Sequence, residues 1–225
     1  RRSSPPRGCT RRVTGVHGFA KVERNVKENI GIHSEIGRLR RVIVHRPGNE
    51  VEQMTPETAQ ELLYNDIVPV EEVQREHAEL ARVLELVAEV YELQDLVSTG
   101  LHRADVRETL VSELIAETGG ALHEQDIPAD ARELSDGLVG GVPNRSDRLT
   151  PLLDGPRYLI PPLPNLYFTR DSGFVVGPLA FRSEMAHNVR TNESRIAAIA
   201  ISHLSGGDDP VQLGAEGLSV EGGDV

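Results

Sequence analysis

The 225-residue sequence is 38% hydrophobic and 26% charged, which is typical of a soluble globular protein and leaves enough apolar residues for a sizeable core. Its formal net charge of -11 disfavours a general nucleic-acid-binding protein or a binder of anionic membranes. No apolar run approaches the roughly 18 residues that a membrane helix needs, so we expect no membrane span.

The first 28 residues differ in character from the rest of the chain. The segment RRSSPPRGCTRR contains five arginines, no acidic residue and no apolar stretch of the kind found in secretory signals. We interpret residues 1–28 as a non-native or disordered basic leader, with a nucleic-acid-contacting tail as the alternative. The only cysteine, Cys9, lies in this leader and is a poor candidate for a nucleophile. A single cysteine excludes an intrachain disulfide, which favours a reducing, cytoplasmic location.

The pattern of apolar residues predicts alternating strands and helices up to about residue 143. The run at 39–44, followed by Arg46-Pro47-Gly48, predicts a strand that ends in a turn. After Pro69, apolar side chains recur at helical spacing up to residue 87. The stretch VYELQDLV at 90–97 predicts a short strand or the end of one. A second helix is predicted to end at Gly119-Gly120, and a third to follow Pro128.

The later part of the chain predicts short strands around one helix. The strands are RYLIPP (157–162), SGFVVG (172–177) and GLSVEGG (217–223), and the helix is TNESRIAAIAISHL (191–204). Strands before and after a helical block predict an α/β fold with a helical insertion over about residues 70–150. The order strand, strand, helix, strand is also compatible with one unit of a larger cyclic array.

The stretch NLYFTRD at 165–171 brings an amide, two aromatic rings, an arginine and an aspartate together in seven residues. One interpretation is a structural turn in which Asn165 caps, Tyr167 and Phe168 pack, and Arg170 pairs with Asp171. The other is a pocket wall in which Phe168 supplies an apolar face and Asp171 a carboxylate for a cationic ligand. The segment alone leaves both interpretations open.

The stretch EGGD near residue 225 adds two more carboxylates, those of Glu221 and Asp224. Gly222 and Gly223 between them allow positive φ angles and close backbone approach, although an acidic turn is an equally common use of such a sequence. Together with Asp171, they offer carboxylates for a metal, a guanidinium or acid–base chemistry. We expect no metal site, because the histidines are scattered and no metal-ligand spacing is present.

Arg190, in NVRTNES, is compatible with a surface charge, an ion-pair partner of Glu193, or an anchor for a ligand carboxylate. Carboxylates for a cation and an arginine for an anion would suit an amino acid with a cationic side chain. His77 lies on the apolar face of its helix and is predicted to be a satisfied core histidine. The same structural interpretation is favoured for His33, His45 and His203.

The sequence resembles the arginine deiminases over about residues 29–225. The matching segments are IHSEIGRLRRVIVHRPG, LLYNDIVPVEEVQREH, LVGGVP, PLPNLYFTRD, VRTNES and VEGGDV. The resemblance implies a five-bladed, pseudo-symmetric α/β propeller with a helical insertion. It also implies hydrolysis of L-arginine to L-citrulline and ammonia through a cysteine-bound amidino intermediate, with no cofactor.

The resemblance implies a role for each candidate residue. Asp171 and Glu221 are implied to be catalytic and to bind the guanidinium, and Arg190 to bind the α-carboxylate of the substrate. Asn165 and Phe168 are implied to line the substrate, and Asp224 to orient or support it.

The resemblance also implies residues for which this sequence has no counterpart. The family's general-base histidine, a further aspartate, a second carboxylate-binding arginine and the nucleophilic cysteine all follow the EGGDV segment. We therefore expect residues 29–225 to be an incomplete catalytic domain, and the 225-residue chain itself to form no citrulline. The expected partner is L-arginine, without nucleic acid or membrane, and a homo-oligomer is compatible with the family. The alternatives are a non-catalytic guanidino-ligand or protein-binding module, and a deiminase or amidinotransferase acting on another guanidino compound.

Overall fold

The computed structural model describes residues 30–55, 59–60, 62–144, 157–213 and 218–225. The predicted leader over residues 1–28, including Cys9, lies outside this part of the chain. Within it the structure is a mixture of helices and small sheets, in agreement with the predicted α/β class. None of the described helices is long and apolar enough to cross a membrane.

The first sheet is a parallel pair of strands. β1 (Arg41–Val44) lies beside β2 (Glu89–Glu92), with Val42 opposite Val90. Parallel neighbours need a crossover connection. Here it contains α1 (Asn49–Glu52) and α2 (Val70–Glu85), and Pro69 directly precedes α2. The predicted strand within 39–44 and the predicted helix after Pro69 are thus confirmed.

A block of three further helices follows β2. These are α3 (Leu93–Gly100), α4 (Ala104–Glu117) and α5 (Ala131–Gly140). The chain turns after α4 at Gly119 and Gly120, whose φ angles of 60° and 81° are readily adopted by glycine, as the sequence predicted. The segment 90–97 is strand only as far as residue 92, because α3 begins directly at residue 93.

The second half of the described chain contains a strand pair and a three-stranded sheet. β3 (Val142–Pro143) and β4 (Tyr158–Ile160) are antiparallel. The three-stranded sheet has the order β5 (Gly173–Val176), β6 (Leu179–Arg182), β7 (Val211–Gln212), antiparallel and then parallel. A short helix, α6 (Thr169–Ser172), precedes β5, and α7 (Thr191–Leu204) connects β6 to β7. The helix predicted at 191–204 has the predicted bounds.

The strand predicted at 217–223 is wrong for the residues described there. Val220 makes one isolated antiparallel bridge with Glu184, and Gly222–Asp224 form a 3-10 turn. The physical reason is a reciprocal cap, in which Glu221 and Asp224 bond to each other's backbone and close the chain into a turn. The strand that follows α7 in the three-stranded sheet is therefore β7 and not residues 217–223. The strand predicted at 157–162 corresponds to β4, which pairs with β3 and does not join the three-stranded sheet.

The main core lies where α7 packs against α3, with α4 and α5 alongside. Its fully enclosed side chains come from these helices and from the 3-10 turn Pro164–Tyr167 with the residue before it: Leu93, Val97, Leu101, Val139, Leu163, Leu166, Ile196 and Ala200. Burying such side chains contributes about 1.5–3 kcal/mol each. This core fixes the amino end of α7 beside the 165–171 segment.

Candidate functional site

Arg190 and Glu193 lie at the amino end of α7. Arg190 ends the 3-10 turn Asn188–Arg190 immediately before the helix, and Glu193 is in the first turn of the helix. Both are buried, with 7% of Arg190 and 1% of Glu193 exposed. A charged group is stable in such surroundings only when it is paired, so the partners of Arg190 define this region.

Three carboxylates surround the guanidinium of Arg190. Its Nε donates to Glu193 Oε2 at 2.9 Å, and its Nη1 donates to Asp171 Oδ2 at 2.9 Å. The same Nη1 lies 3.8 Å from Glu221 Oε2, while Nη2 reaches the carbonyl oxygen of Asn165 at 3.5 Å. We call Asp171, Arg190, Glu193 and Glu221 the Arg190 cluster. Its three carboxylates outnumber its one guanidinium, which favours the approach of a second cation.

The carboxylates of the cluster differ in accessibility. The side chain of Glu193 is 1% exposed, whereas that of Asp171 is 29% and that of Glu221 is 21% exposed. Asp171 and Glu221 therefore form the edge of the cluster that a ligand can reach, and Glu193 forms its interior.

Burial and charge shift the pKa values in the cluster. Burial, together with the nearby Asp171 and Glu221 charges, raises the pKa of Glu193 from 4.5 to about 7, despite the opposing hydrogen bond and charge of Arg190. Burial also opposes the charge on Arg190, but its hydrogen bonds to Glu193 and Asp171 outweigh this and raise its pKa. Arg190 is therefore a permanent cation, and Glu193 is the member of the pair that titrates near neutral pH.

The NLYFTRD segment has a structural framework and one residue that points into the cluster. Asn165 Nδ2 donates to the carbonyl of Leu62 at 2.8 Å, and the rings of Tyr167 and Phe168 lie 4.2 Å apart. The predicted local pair between Arg170 and Asp171 is wrong, because neighbouring residues on α6 point in different directions. Arg170 Nη1 lies 3.2 Å from the Glu35 carboxylate instead.

Phe168 stands beside this framework with 45% of its surface exposed. An exposed ring three residues from Asp171 is able to contact the apolar part of a ligand whose cationic end reaches the cluster.

The EGGD segment holds Glu221 in place by backbone contacts. Ala186 N donates to Glu221 Oε1 at 2.9 Å, and Glu221 N donates to Asp224 Oδ2 at 3.0 Å. A Cβ on Gly222 would lie 1.9 Å from the carbonyl oxygen of Arg170, so the segment needs glycine there for close approach. Of the two properties that glycine allows here, the segment uses close approach, since neither Gly222 nor Gly223 has a positive φ angle.

The structure thus brings Asp171, Arg190 and Glu221 together, with the backbone carbonyl of Asn165 beside them. The ion pair between Arg190 and Glu193, one of the options open from the sequence, is present. Asp224 accepts a hydrogen bond from the backbone N–H of Glu221.

Sequence reasoning missed Tyr64, which contacts the NLYFTRD segment and the residue before it. Its hydroxyl donates to the carbonyl of Pro164 at 2.9 Å and lies 3.1 Å from the hydroxyl of Tyr167. A tyrosine in an otherwise aliphatic and acidic stretch, LLYND, was the available signal.

A second cation lies between carboxylates at the end of β1. His45 is fully buried, with Nδ1 3.0 Å from Glu92 Oε1 and Nε2 3.1 Å from Glu50 Oε1. Although burial alone would lower its pKa, the hydrogen bonds and charges of Glu50 and Glu92 raise it to about 9. We call these three residues the His45 cluster. The structural interpretation of His45 is confirmed, but its carboxylate partners were not predicted from the sequence.

His77, also predicted to be structural, is half-buried on α2, and burial lowers its pKa. Across the described residues, no group of three or more His, Cys, Asp or Glu side chains is arranged to hold a metal ion. In the Arg190 cluster, the guanidinium occupies the centre of the three carboxylates.

Known proteins give an independent comparison. A family model described as arginine deiminase matches residues 60–138. An arginine deiminase of Listeria monocytogenes is 33% identical over 217 residues, covering 88% of this chain and 53% of that protein. One from Rhodococcus erythropolis is 34% identical, covering 77% of this chain and 47% of that protein.

An arginine deiminase of Streptococcus pyogenes is 31% identical, with 87% of this chain and 53% of that protein covered. The chain spans about half the length of these curated relatives, and the aligned part includes most of its own residues. Over most of its own length the chain is thus similar to arginine deiminases.

Proposed function

We propose that the protein containing this chain hydrolyses L-arginine to L-citrulline and ammonia, and that residues of this chain hold the substrate. The relatives that it resembles are named for this activity. The observation that carries the proposal is the accessible edge of the Arg190 cluster, where Asp171 and Glu221 leave an excess of negative charge. A guanidinium has the charge and planar donor geometry for that edge.

In the proposed complex, Asp171 and Glu221 accept hydrogen bonds from the guanidinium of the substrate. Phe168 contacts its methylene chain, and Arg190 binds its α-carboxylate. Asn165 shapes the wall through its bond to Leu62 and its carbonyl beside Arg190. Asp224 supports Glu221 by capping its backbone. No metal or organic cofactor enters this proposal.

Asp171 and Glu221 contribute by fixing the guanidinium carbon for attack. Two carboxylates on one planar cation restrict its rotation and translation, which lowers the entropic cost of reaching the reactive geometry. Glu221 is suited to this task because two backbone contacts already hold its carboxylate and main chain. The attacking thiolate and the general-base histidine that the resemblance implies are not assigned to residues of this chain.

The remaining expectations are part of the same proposal. The β5, β6, α7, β7 order is compatible with one unit of a pseudo-symmetric α/β propeller. Residues 29–225 would be part of the catalytic domain, with the helices in residues 70–150 as its insertion. We further propose a cytoplasmic enzyme that forms a homo-oligomer and has neither nucleic acid nor membrane as a partner.

Asp171→Asn tests the assignment directly. The change keeps the shape of the side chain but removes the charge that pairs with the guanidinium. We expect L-arginine binding to the 225-residue chain, measured by calorimetry, to weaken at least about tenfold. We expect citrulline formation by the product of the complete gene to fall by about 10²-fold or more.

The matched control is Asp136→Asn, which removes a half-exposed carboxylate that pairs with Arg132 outside the site. It should leave both readouts unchanged. Near-normal citrulline formation in Asp171→Asn would contradict the proposal. Binding of arginine without citrulline formation by the complete gene product would favour a non-catalytic guanidino-binding module. Faster turnover of agmatine than of L-arginine would favour another guanidino substrate.

A further inference from the structure

The guanidinium of Arg190 has two edges with different partners. Its Nε and Nη2 both lie within 2.9 Å of Glu193 Oε2. Its Nη1 faces the opposite way, to Asp171 and towards Glu221. One edge is therefore held inside the protein, and the other belongs to the accessible edge of the Arg190 cluster.

Nη1 of Arg190 makes the contacts that the proposed function gives to the guanidinium of the substrate. It is 2.9 Å from Asp171 and 3.8 Å from Glu221, so the protein pairs these carboxylates with its own arginine. A ligand guanidinium has to take over Asp171 from Arg190. Nη1 of Arg190 then loses an ionic partner in a largely buried place, which is costly unless an anion replaces it.

A ligand that carries a carboxylate beside its guanidinium group supplies that anion. Its guanidinium pairs with Asp171 and Glu221, and its carboxylate pairs with the released Nη1 edge of Arg190. The exchange replaces the two internal pairs of Nη1 by three pairs with the ligand and leaves no buried charge without a partner. A guanidino compound without a carboxylate pairs with Asp171 and Glu221 but leaves the Nη1 edge of Arg190 without an anion.

We infer that Glu193 is the positioning residue of this exchange: it holds Arg190 by the inner edge, and thereby sets the preference of the site for guanidino compounds that carry a carboxylate. This inference rests on the proposed function. Glu193 is suited to the task because it is the most buried carboxylate of the cluster and because a single helical turn fixes its distance from Arg190. Without it, Arg190 would depend on the two carboxylates that the ligand needs.

The other groups facing Glu193 do not replace it. Asp171 and Glu221 carry the same charge as Glu193 and act on it through space. The hydroxyl of Tyr64 bonds to Pro164 and Tyr167 instead. Among the described side chains, only Glu193 bonds to the Nε edge, whose Nη2 also reaches the backbone carbonyl of Asn165.

The test is the ratio of L-arginine affinity to agmatine affinity, measured by calorimetry on the 225-residue chain. Agmatine has the guanidinium of arginine but no carboxylate, so a general loss of negative charge or of folded protein affects both ligands alike. We expect Glu193→Gln to lower the ratio about tenfold, because Arg190 loses its charged anchor. Arg190→Ala should lower it by a similar factor. The double variant should show no further fall, since both changes remove the same interaction.

Glu113→Gln is the matched control, because it removes a carboxylate that lies 3.3 Å from Arg195 in another ion pair of α7 and leaves the cluster intact. It should keep the normal ratio. Glu193→Asp keeps the charge but shortens the reach, and a smaller fall in the ratio is expected; it also serves as the test if Glu193→Gln does not fold.

A normal ratio in the folded Glu193 variants, with a collapsed ratio in Arg190→Ala, would overturn the role of Glu193 and leave the proposed function standing. A normal ratio in Arg190→Ala, or no arginine binding by the unmodified chain, would instead overturn the proposed function, and this inference with it.

Discussion

The Arg190 cluster and the His45 cluster are built from the same components, a buried cation between glutamate or aspartate side chains. His45 lies between two carboxylates and is completely enclosed. Arg190 lies among three carboxylates, two of which remain partly exposed. The chemistry is similar, but only one cluster has an edge that a ligand can reach.

This difference separates a structural cluster from the proposed binding site. The His45 cluster joins the end of β1 to α1 and to the end of β2, and its carboxylates also accept backbone hydrogen bonds from Arg46 and Gly48. Both ring nitrogens of His45 and at least one oxygen of each carboxylate are bonded within the protein. The Arg190 cluster has excess negative charge at an open edge, which is useful only when a further cation binds. Exposure and charge balance, more than residue type, therefore indicate function here.

The largest effect that tests this comparison is expected from His45→Ala. Removing the imidazole leaves Glu50 and Glu92 buried without their cation, and such a loss costs about 3–5 kcal/mol. We expect the free energy of unfolding in urea to fall by about that amount. His33→Ala, at an exposed histidine before the same strand, is the control and should change it by less than about 0.5 kcal/mol. An equal, small effect of both variants would show that the His45 cluster does not stabilise the contact between β1, α1 and β2.

The next effect is a fall in stability with rising pH in two neighbouring windows that meet near pH 7. The pKa of His45 is raised from 6.5 to about 9, so its stabilising contribution is complete below pH 6.5 and is lost as the pH rises through about 9. This loss is about 3 kcal/mol. Glu193 has a pKa raised from 4.5 to about 7, so folding is favoured by its protonated form, and stability falls as the pH rises between these values.

Urea denaturation across this pH range separates the two clusters. His45→Gln should flatten only the upper window, and Glu193→Gln only the lower one. If either variant flattens both windows, the clusters are coupled and the comparison between them fails.

The smallest effect is expected from Arg170→Ala, which distinguishes the two arginines near Asp171. The Arg170 side chain is 56% exposed and pairs with Glu35, itself 64% exposed, so the pair stabilises the fold by less than about 1 kcal/mol. We expect an unchanged affinity for L-arginine in calorimetry, whereas Arg190→Ala should weaken it. A comparable loss in Arg170→Ala would mean that the ligand carboxylate binds outside the Arg190 cluster.

The elements with strong local signals were predictable from the sequence. The apolar periodicity after Pro69 and in residues 191–204 gave helices that the structure contains, and Gly119-Gly120 marked a turn. The strand predicted at 217–223 was wrong because the short apolar run there resembles a strand. The reciprocal cap of Glu221 and Asp224 closes this part of the chain into a turn. The β6 strand was not predicted, because its four residues give too little periodicity for a prediction.

The sequence also indicated which residues are candidates for the site, but it did not indicate which side chains they pair with. A pair between Asp171 and its neighbour Arg170 was one of the two interpretations open from the sequence, and Asp171 instead reaches Arg190, 19 residues away. The partners of His45 include Glu92, which is 47 residues away. Such pairs depend on how helices and strands pack, and sequence spacing beyond a few residues does not report it.

The sequence by itself determined the long helices after Pro69 and at 191–204, which residues carry charge, and the family that the chain resembles, because periodicity, composition and motifs are local properties. The tertiary structure alone decided that Arg190 fills the acidic edge between Asp171 and Glu221 while Glu193 holds it from the interior. The physical reason is that burial and pairing of a charge depend on the packing of α7 against α3 and α6, which brings distant parts of the chain within hydrogen-bonding distance.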